Sequence, residues 1–221
     1  MNHFFSAVLF DMDGTLVDTE PMWLASESEL MARFGYEWTT DDQAHCLGGP
    51  LDRVGEYMFE LAGKHHSPEW FTQTLISLTE SHLRHGASLM EGAQDLMSLC
   101  EGLNLPMALV SASPRVLVDA VLDNLQGHKF AISISSDDVT EVKPNPEGYL
   151  AAAEFLDVPI TNCLILEDSA TGVAAAKASG GLVIAIPHLV PIQASERVHI
   201  VSSVNDLTHE ELRNIYLRFN A

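Results

Sequence analysis

The sequence predicts an α/β protein built on a parallel sheet, with an all-helical segment inserted near its start. Three observations predict it. Short apolar runs recur through the second half of the chain, helical patterns separate them, and one further apolar run stands alone near the N-terminus. Strands alternating with helices form βαβ units, and those units build a parallel sheet.

The isolated run, Ala7-Val8-Leu9-Phe10, is short and has no helical period, so it reads as a buried strand. The next run, Pro106 to Val110, comes only after a long insert. Within the insert, Trp23, Leu24, Leu30, Met31 and Phe34 share one helical face. Leu51, Val54, Met58 and Leu61 share another, and Phe71, Leu75 and Leu78 a third. A helical module placed after the first strand is expected to act as a lid that excludes water and chooses substrates. Helices follow from Leu96, Leu99, Cys100 and Leu103, and from Leu117, Val121 and Leu125. Phe130 to Ile134, Cys163 to Leu166 and Leu182 to Ile186 are the remaining strands. Ser113-Pro114 and Asn145-Pro146 are read as caps with proline at the first helical position. Gly180-Gly181 stops the helix that begins near Ser169.

Composition narrows the function. The chain has 221 residues, 47% hydrophobic and 19% charged, which describes a globular protein with a sizeable core. Its formal net charge is −20, with only 11 Lys plus Arg. That balance argues against nucleic acid and anionic membrane as partners. An anionic substrate would therefore need a locally positive pocket. Cys46, Cys100 and Cys163 show no metal or disulfide spacing and are expected as buried free thiols in a reducing cytoplasm. The N-terminus shows no leader pattern, and no stretch has the length of a membrane span. His65-His66, His82 and His85 are read as helix-surface residues without a role.

Chemistry concentrates after the strands. Asp11 and Asp13 follow the first, and strict alternation would turn them the same way. Clustered carboxylates need a cation or a shared proton, and Mg²⁺ is a suitable hard ion. Asp13-Gly14 is also a common turn pair, so the segment alone reads equally as a turn. Ser111-Ala112-Ser113-Pro114 follows the second strand, with a hydroxyl and free N–H groups at a helix start. Lys143, one of four lysines, stands between Val142 and Pro144-Asn145-Pro146, where two prolines restrict the backbone. Glu167-Asp168-Ser169 places a second acidic pair at a second strand end.

Taken in order, Asp11-x-Asp13-Gly14-Thr15, Ser111, Lys143 with its prolines and Glu167-Asp168-Ser169 resemble the four motifs of the haloacid dehalogenase superfamily. The resemblance covers essentially the whole chain and is nearest to the β-phosphoglucomutase-like subgroup, which includes sugar-phosphate phosphatases. It implies a doubly wound, Rossmann-like parallel-sheet core over residues 1–17 and 89–221, with a helical cap over 18–88. It implies Asp11 as nucleophile and Asp13 as acid and base. It also implies Mg²⁺ at Asp11, Asp13 (through its carbonyl) and Asp168, with Glu167 in or beside that shell. Ser111, Ala112, Lys143 and Thr15 would hold the phosphoryl group, and Glu20 and the Gly48-Gly49 loop would touch substrate. Four carboxylates and one lysine total −3; Mg²⁺ and one proton on Asp13 neutralise them, so an absolute need for Mg²⁺ is expected.

The presence of Asp13 favours phosphoryl chemistry over dehalogenation. Mutases of the subgroup carry a cap histidine where this chain has Trp23. They also carry a charged pair where Leu47 and Leu51 flank Gly48-Gly49-Pro50. The expected function is therefore a cytoplasmic, monomeric phosphatase for a small phosphorylated metabolite, a sugar or polyol phosphate. A phosphomutase is the alternative. A phospho-accepting receiver module is disfavoured, because Asp11 and Asp13 sit on one strand.

Overall fold

The computed structural model describes residues 4–47, 50–187 and 192–219. The chain divides into two compact units: Met1–Asp18 with Ser88–Ala221, and Thr19–Ala87. The strands are β1 (Ala7–Phe10), β2 (Met107–Val110), β3 (Phe130–Ile134), β4 (Cys163–Glu167), β5 (Leu182–Ala185) and β6 (Val198–Ile200). In chain order the helices are α1 (Glu20–Ala32), α2 (Thr40–Cys46), α3 (Leu51–Leu61), α4 (Pro68–Arg84), α5 (Ala93–Gly102), α6 (Arg115–Asn124), α7 (Glu147–Phe155), α8 (Ala170–Ser179) and α9 (His209–Phe219).

The first unit holds a six-stranded sheet in the order β3-β2-β1-β4-β5-β6, and every neighbouring pair is parallel. β1 lies in the middle, with Leu9 paired to Ala108 of β2 and to Ile165 of β4. On one face Ala7, Leu9, Ala108, Val110, Ile165 and Val183 pack against Tyr149 and Ala152 of α7 and Ala175 and Ala176 of α8. The alternate residues Val8, Phe10, Leu109, Leu164 and Leu166 are buried as well. Burial on both faces makes the sheet doubly wound, and it explains why the strands read as continuous apolar runs. Each such side chain contributes roughly 1.5–3 kcal/mol by leaving water.

In such a sheet the strand order runs outward in two directions from a switch point, here between β1 and β4. Ligands bind at the carboxyl ends of the strands beside that point. The N-terminus of α8 is capped by Ser169, whose Oγ accepts from the Gly172 N–H at 3.0 Å, and its end by left-handed Gly180. Pro114 and Pro146 occupy the cap positions of α6 and α7, one residue earlier than the sequence pattern places them. At α7, Asn145 Oδ1 accepts from the Glu147 N–H. All three cysteines are buried free thiols.

The second unit is helical. Leu30 and Met31 of α1, Val54 and Met58 of α3, and Phe71 and Leu75 of α4 form its core, with Trp23, Phe34 and Leu78 partly buried against them. Leu24 is exposed: adjacent helical residues point about 100° apart, and Trp23 takes the inward direction. His66 stacks on Trp70 with ring centroids 3.9 Å apart. Among the described residues no helix is long and apolar enough to cross a membrane.

Candidate active site

The chemistry gathers where β1, β2 and β4 end. The Asp11 N–H donates to Leu166 O at 3.0 Å, extending the β1–β4 ladder and setting Asp11 against the end of β4. The chain then turns tightly, with the Leu16 and Val17 N–H groups both donating to Met12 O. Gly14 sits at φ +77° in this turn. A Cβ there would collide with the Asp168 carboxylate, so glycine is what lets the turn close on Asp168.

The two aspartates part company. Asp11 is buried and faces Lys143, whose Nζ lies 2.5 Å from Asp11 Oδ1. Asp13 turns toward the end of β2, where Ser111 Oγ and Ser113 Oγ both donate to its Oδ2, at 3.1 and 2.8 Å. Strict alternation fails here because β1 ends at Phe10 and the turn re-aims each side chain.

Lys143 Nζ donates to Asp11 Oδ1, to Glu167 Oε1 at 2.7 Å and to Val110 O at 2.9 Å. An ammonium has three N–H bonds, and protein acceptors take all three. Glu167 is fully buried. Its Oε1 also accepts from the Tyr149 hydroxyl at 2.5 Å, and its Oε2 from the Ser169 N–H at 3.5 Å and Oγ at 3.3 Å. A Cβ on Gly172 would occupy the space of this carboxylate.

The electrostatics follow from one ammonium facing several acids. Burial, and then the Glu167 charge, push Asp11 well above the usual carboxylate range, against the pull of Lys143. The same two causes lift Asp168 to about 7. For Lys143 burial works the other way, but Asp11 and Glu167 outweigh it and hold the ammonium well above its ordinary value. Burial, followed by Glu167, keeps the Tyr149 phenol protonated far above its usual range.

One carboxylate oxygen each from Asp11, Glu167 and Asp168 lie within 4.8 Å of one another, close enough to share a cation. All-oxygen donors of this kind suit a hard ion such as Mg²⁺. The Asp13 side chain is not part of that group, since it turns to the serines. Thr15 is buried and its hydroxyl reaches Asp168 Oδ1 at 3.5 Å; Ala112 is exposed beside Ser111. Glu20 opens α1 in the second unit. Gly48 and Gly49 lie outside the described residues. Sequence reasoning gave no role to Tyr149 and read Ser113 only as a cap. The one available signal for Tyr149 was a phenol on an apolar helical face, six residues after Lys143.

Residues 8–186 match the model of the haloacid dehalogenase-like hydrolase family. The chain belongs to that family. It is 30% identical over 184 residues to hexitol phosphatase B of Escherichia coli K12, covering 82% of this chain and 83% of that protein. Two longer relatives match at 29% and 31% identity, and the chain spans 54% and 18% of their lengths. Among solved structures, a family IA, variant 3 hydrolase from Entamoeba histolytica superposes with a TM-score of 0.82 at 23% identity, covering 96% of this chain and 99% of that one. A β-phosphoglucomutase from Clostridium difficile gives 0.79 at 21%, covering 98% and 99%. At these identities the structures show a shared fold.

Proposed function

We propose that this hydrolase is a Mg²⁺-dependent phosphatase that cleaves a small phosphate monoester, a sugar or polyol phosphate, through an aspartyl-phosphate on Asp11. One observation carries the reading. Asp11 and Asp13, two residues apart, occupy different environments: one is buried against an ammonium, the other is held by two hydroxyls. Pairs of carboxylates in contrasting surroundings divide nucleophilic and acid–base roles.

Asp11 attacks phosphorus as the P–O bond to the leaving group breaks. Asp13 gives its proton to the departing oxygen, then takes one from the water that attacks the aspartyl-phosphate. Phosphate leaves and Asp11 is restored. The Ala112 N–H binds a phosphoryl oxygen, and the Ser111 hydroxyl, which donates to Asp13 in the free site, turns to another. Lys143, with its donors engaged by protein, acts through its charge and fixes Asp11. Asp11, Asp168 and the Asp13 carbonyl would hold Mg²⁺ beside Glu167. When bound, the ion offsets the charges of the nucleophile and the phosphoryl group.

The hexitol phosphatase relative supports the sugar or polyol class. For the mutase reading, Trp23 stands where a cap histidine is needed, and it packs on the helical core. Nothing charged replaces Leu47 and Leu51. The acidic surface and free buried thiols support a cytoplasmic monomer acting on free metabolites.

Phosphate release from a panel of phosphorylated sugars and polyols, with Mg²⁺ and with EDTA, tests the proposal. Turnover that vanishes in chelator is expected. Full activity in EDTA overturns the metal role. Conversion of glucose 1-phosphate to glucose 6-phosphate faster than phosphate release overturns the phosphatase assignment.

A further inference from the structure

We infer that Tyr149, which lies outside every motif, is a positioning residue that sets the Asp11 nucleophile through Glu167 and Lys143. The inference rests on the phosphatase reading above.

Tyr149 is 1% exposed and packs among alanines of α7 and α8 and the strands they cover. A phenylalanine would fill that space without a polar atom to satisfy. The phenol instead donates to Glu167 Oε1 at 2.5 Å, while the Ser169 donors on Oε2 stand at 3.3 and 3.5 Å. The short contact is thus the one from Tyr149, and it falls on the oxygen shared with Lys143. The Tyr149 ring centroid also lies 5.0 Å from Lys143 Nζ, within cation–π range. One side chain therefore meets both members of the pair.

Glu167 has little room to move. The Gly172 backbone packs directly against its carboxylate from the α8 side, with no space for even a methyl group. Tyr149 and Lys143 close the other side. Lys143 Nζ in turn is located by three acceptors, and one of them is Asp11 Oδ1. With Oδ1 held by the ammonium, attack on phosphorus falls to Oδ2. Removing the phenol oxygen leaves the buried Oε1 with Lys143 as its one remaining protein donor. Glu167 then reorients, Lys143 follows it, and the Asp11 carboxylate loses its fixed angle. Partners of this kind act on rate by orienting groups that touch the reacting atoms.

The test compares wild type, Tyr149→Phe, Glu167→Gln and the double variant, all with Mg²⁺. It measures hydrolysis of p-nitrophenyl phosphate and the binding of BeF₃⁻, an acyl-phosphate mimic, by ¹⁹F NMR. Tyr149→Phe is expected to lower kcat about 10- to 100-fold, to leave KM within about twofold, and to weaken BeF₃⁻ binding by a similar factor. In the Glu167→Gln background the same change is expected to add less than about twofold, since both act on one carboxylate. A purely structural tyrosine would give factors that multiply. Multiplying factors, or a Tyr149→Phe enzyme matching wild type in both assays, overturn the inference. In wild-type protein the Tyr149 hydroxyl proton is expected as a downfield resonance that shifts when BeF₃⁻ binds. An unshifted resonance overturns the coupling even where the variant does not fold. A wild type that neither hydrolyses the ester nor binds BeF₃⁻ overturns the phosphatase reading, and this inference with it.

Discussion

Lys143 Nζ lies 2.5 Å from Asp11 Oδ1, and the two side chains are only 8% and 9% exposed. The ammonium also serves Glu167, which is fully buried. Breaking a buried ion pair from one side costs about 3–5 kcal/mol, because the remaining charge loses its partner. Lys143→Met should therefore destabilise the protein on that order at pH 8, where protons that could replace the ammonium at Asp11 are scarce. The loss should be smaller at pH 5, where a carboxyl can take up a proton. Lys143→Arg should not restore turnover, since a planar guanidinium cannot reproduce three converging donors from one nitrogen. Urea titrations at both pH values, with p-nitrophenyl phosphate turnover, check this. A Met variant as stable as wild type at pH 8 would remove the pair from the account.

Asp11→Asn should abolish hydrolysis and leave the fold intact. It keeps the side-chain shape and removes one negative charge from a cluster with too many. Asp13→Asn should slow formation of the aspartyl-phosphate or let it accumulate, with kcat down about 10²–10⁴-fold, the usual weight of a general acid–base group. Mass spectrometry of acid-quenched enzyme reads the adduct directly. No phosphoryl adduct in any variant, or turnover retained by Asp11→Asn, would sink the covalent route.

Asp168 titrates near 7, lifted by burial and then by the Glu167 charge. A cation needs the ionised carboxylate, so below that pH binding must first expel a proton. Mg²⁺ affinity should fall as pH drops below 7, by about tenfold per pH unit for each proton displaced. In metal-free protein the sign is opposite. The raised pKa favours the folded state below the ordinary carboxylate range, and that contribution is lost as pH rises toward 7. Calorimetric titration with Mg²⁺ from pH 5.5 to 8.5 measures the first effect, and an affinity flat across that range would contradict it.

Much of the core was legible because its strands are buried on both faces. β1 appears in the sequence at its observed bounds as an uninterrupted apolar run; β3, a partly exposed edge strand, also keeps its bounds although Ser133 interrupts its apolar run. β6 was not legible. It has three residues, His199 breaks its pattern, and only pairing with β5 makes it a strand. The site followed the same rule. Asp11, Ser111, Lys143 and Glu167 mark strand ends or the loops after them, and the structure brings them together around Asp11 and Asp13. The divergence of Asp11 from Asp13 depends on a turn whose hydrogen bonds involve Met12, Gly14 and Val17. The contact of Tyr149 with Glu167 joins two residues 18 apart in sequence on different elements. Neither relationship has a local periodicity to announce it.

Glu27 makes the helical unit sensitive to pH in its own right. It is 5% exposed on α1, and the Trp38 indole N–H donates to its Oε2 at 2.9 Å. Burial raises its pKa to about 7; the indole hydrogen bond opposes that shift and the Glu20 charge adds to it. In the unfolded chain the group titrates at about 4.3. Between those values the folded state keeps a proton that the unfolded chain has lost, so stability falls as pH rises through the window. The contribution is complete below pH 4 and gone above 7, and amounts to roughly 3 kcal/mol at one pKa unit per 1.36 kcal/mol. Glu27→Gln stays neutral and keeps an acceptor for the indole. It should match wild type near pH 4.5 and exceed it in stability at pH 8. All three tryptophans, Trp23, Trp38 and Trp70, lie in this unit, so tryptophan fluorescence during urea unfolding reports on it selectively. Equal pH slopes in the two proteins would show that Glu27 does not carry the effect.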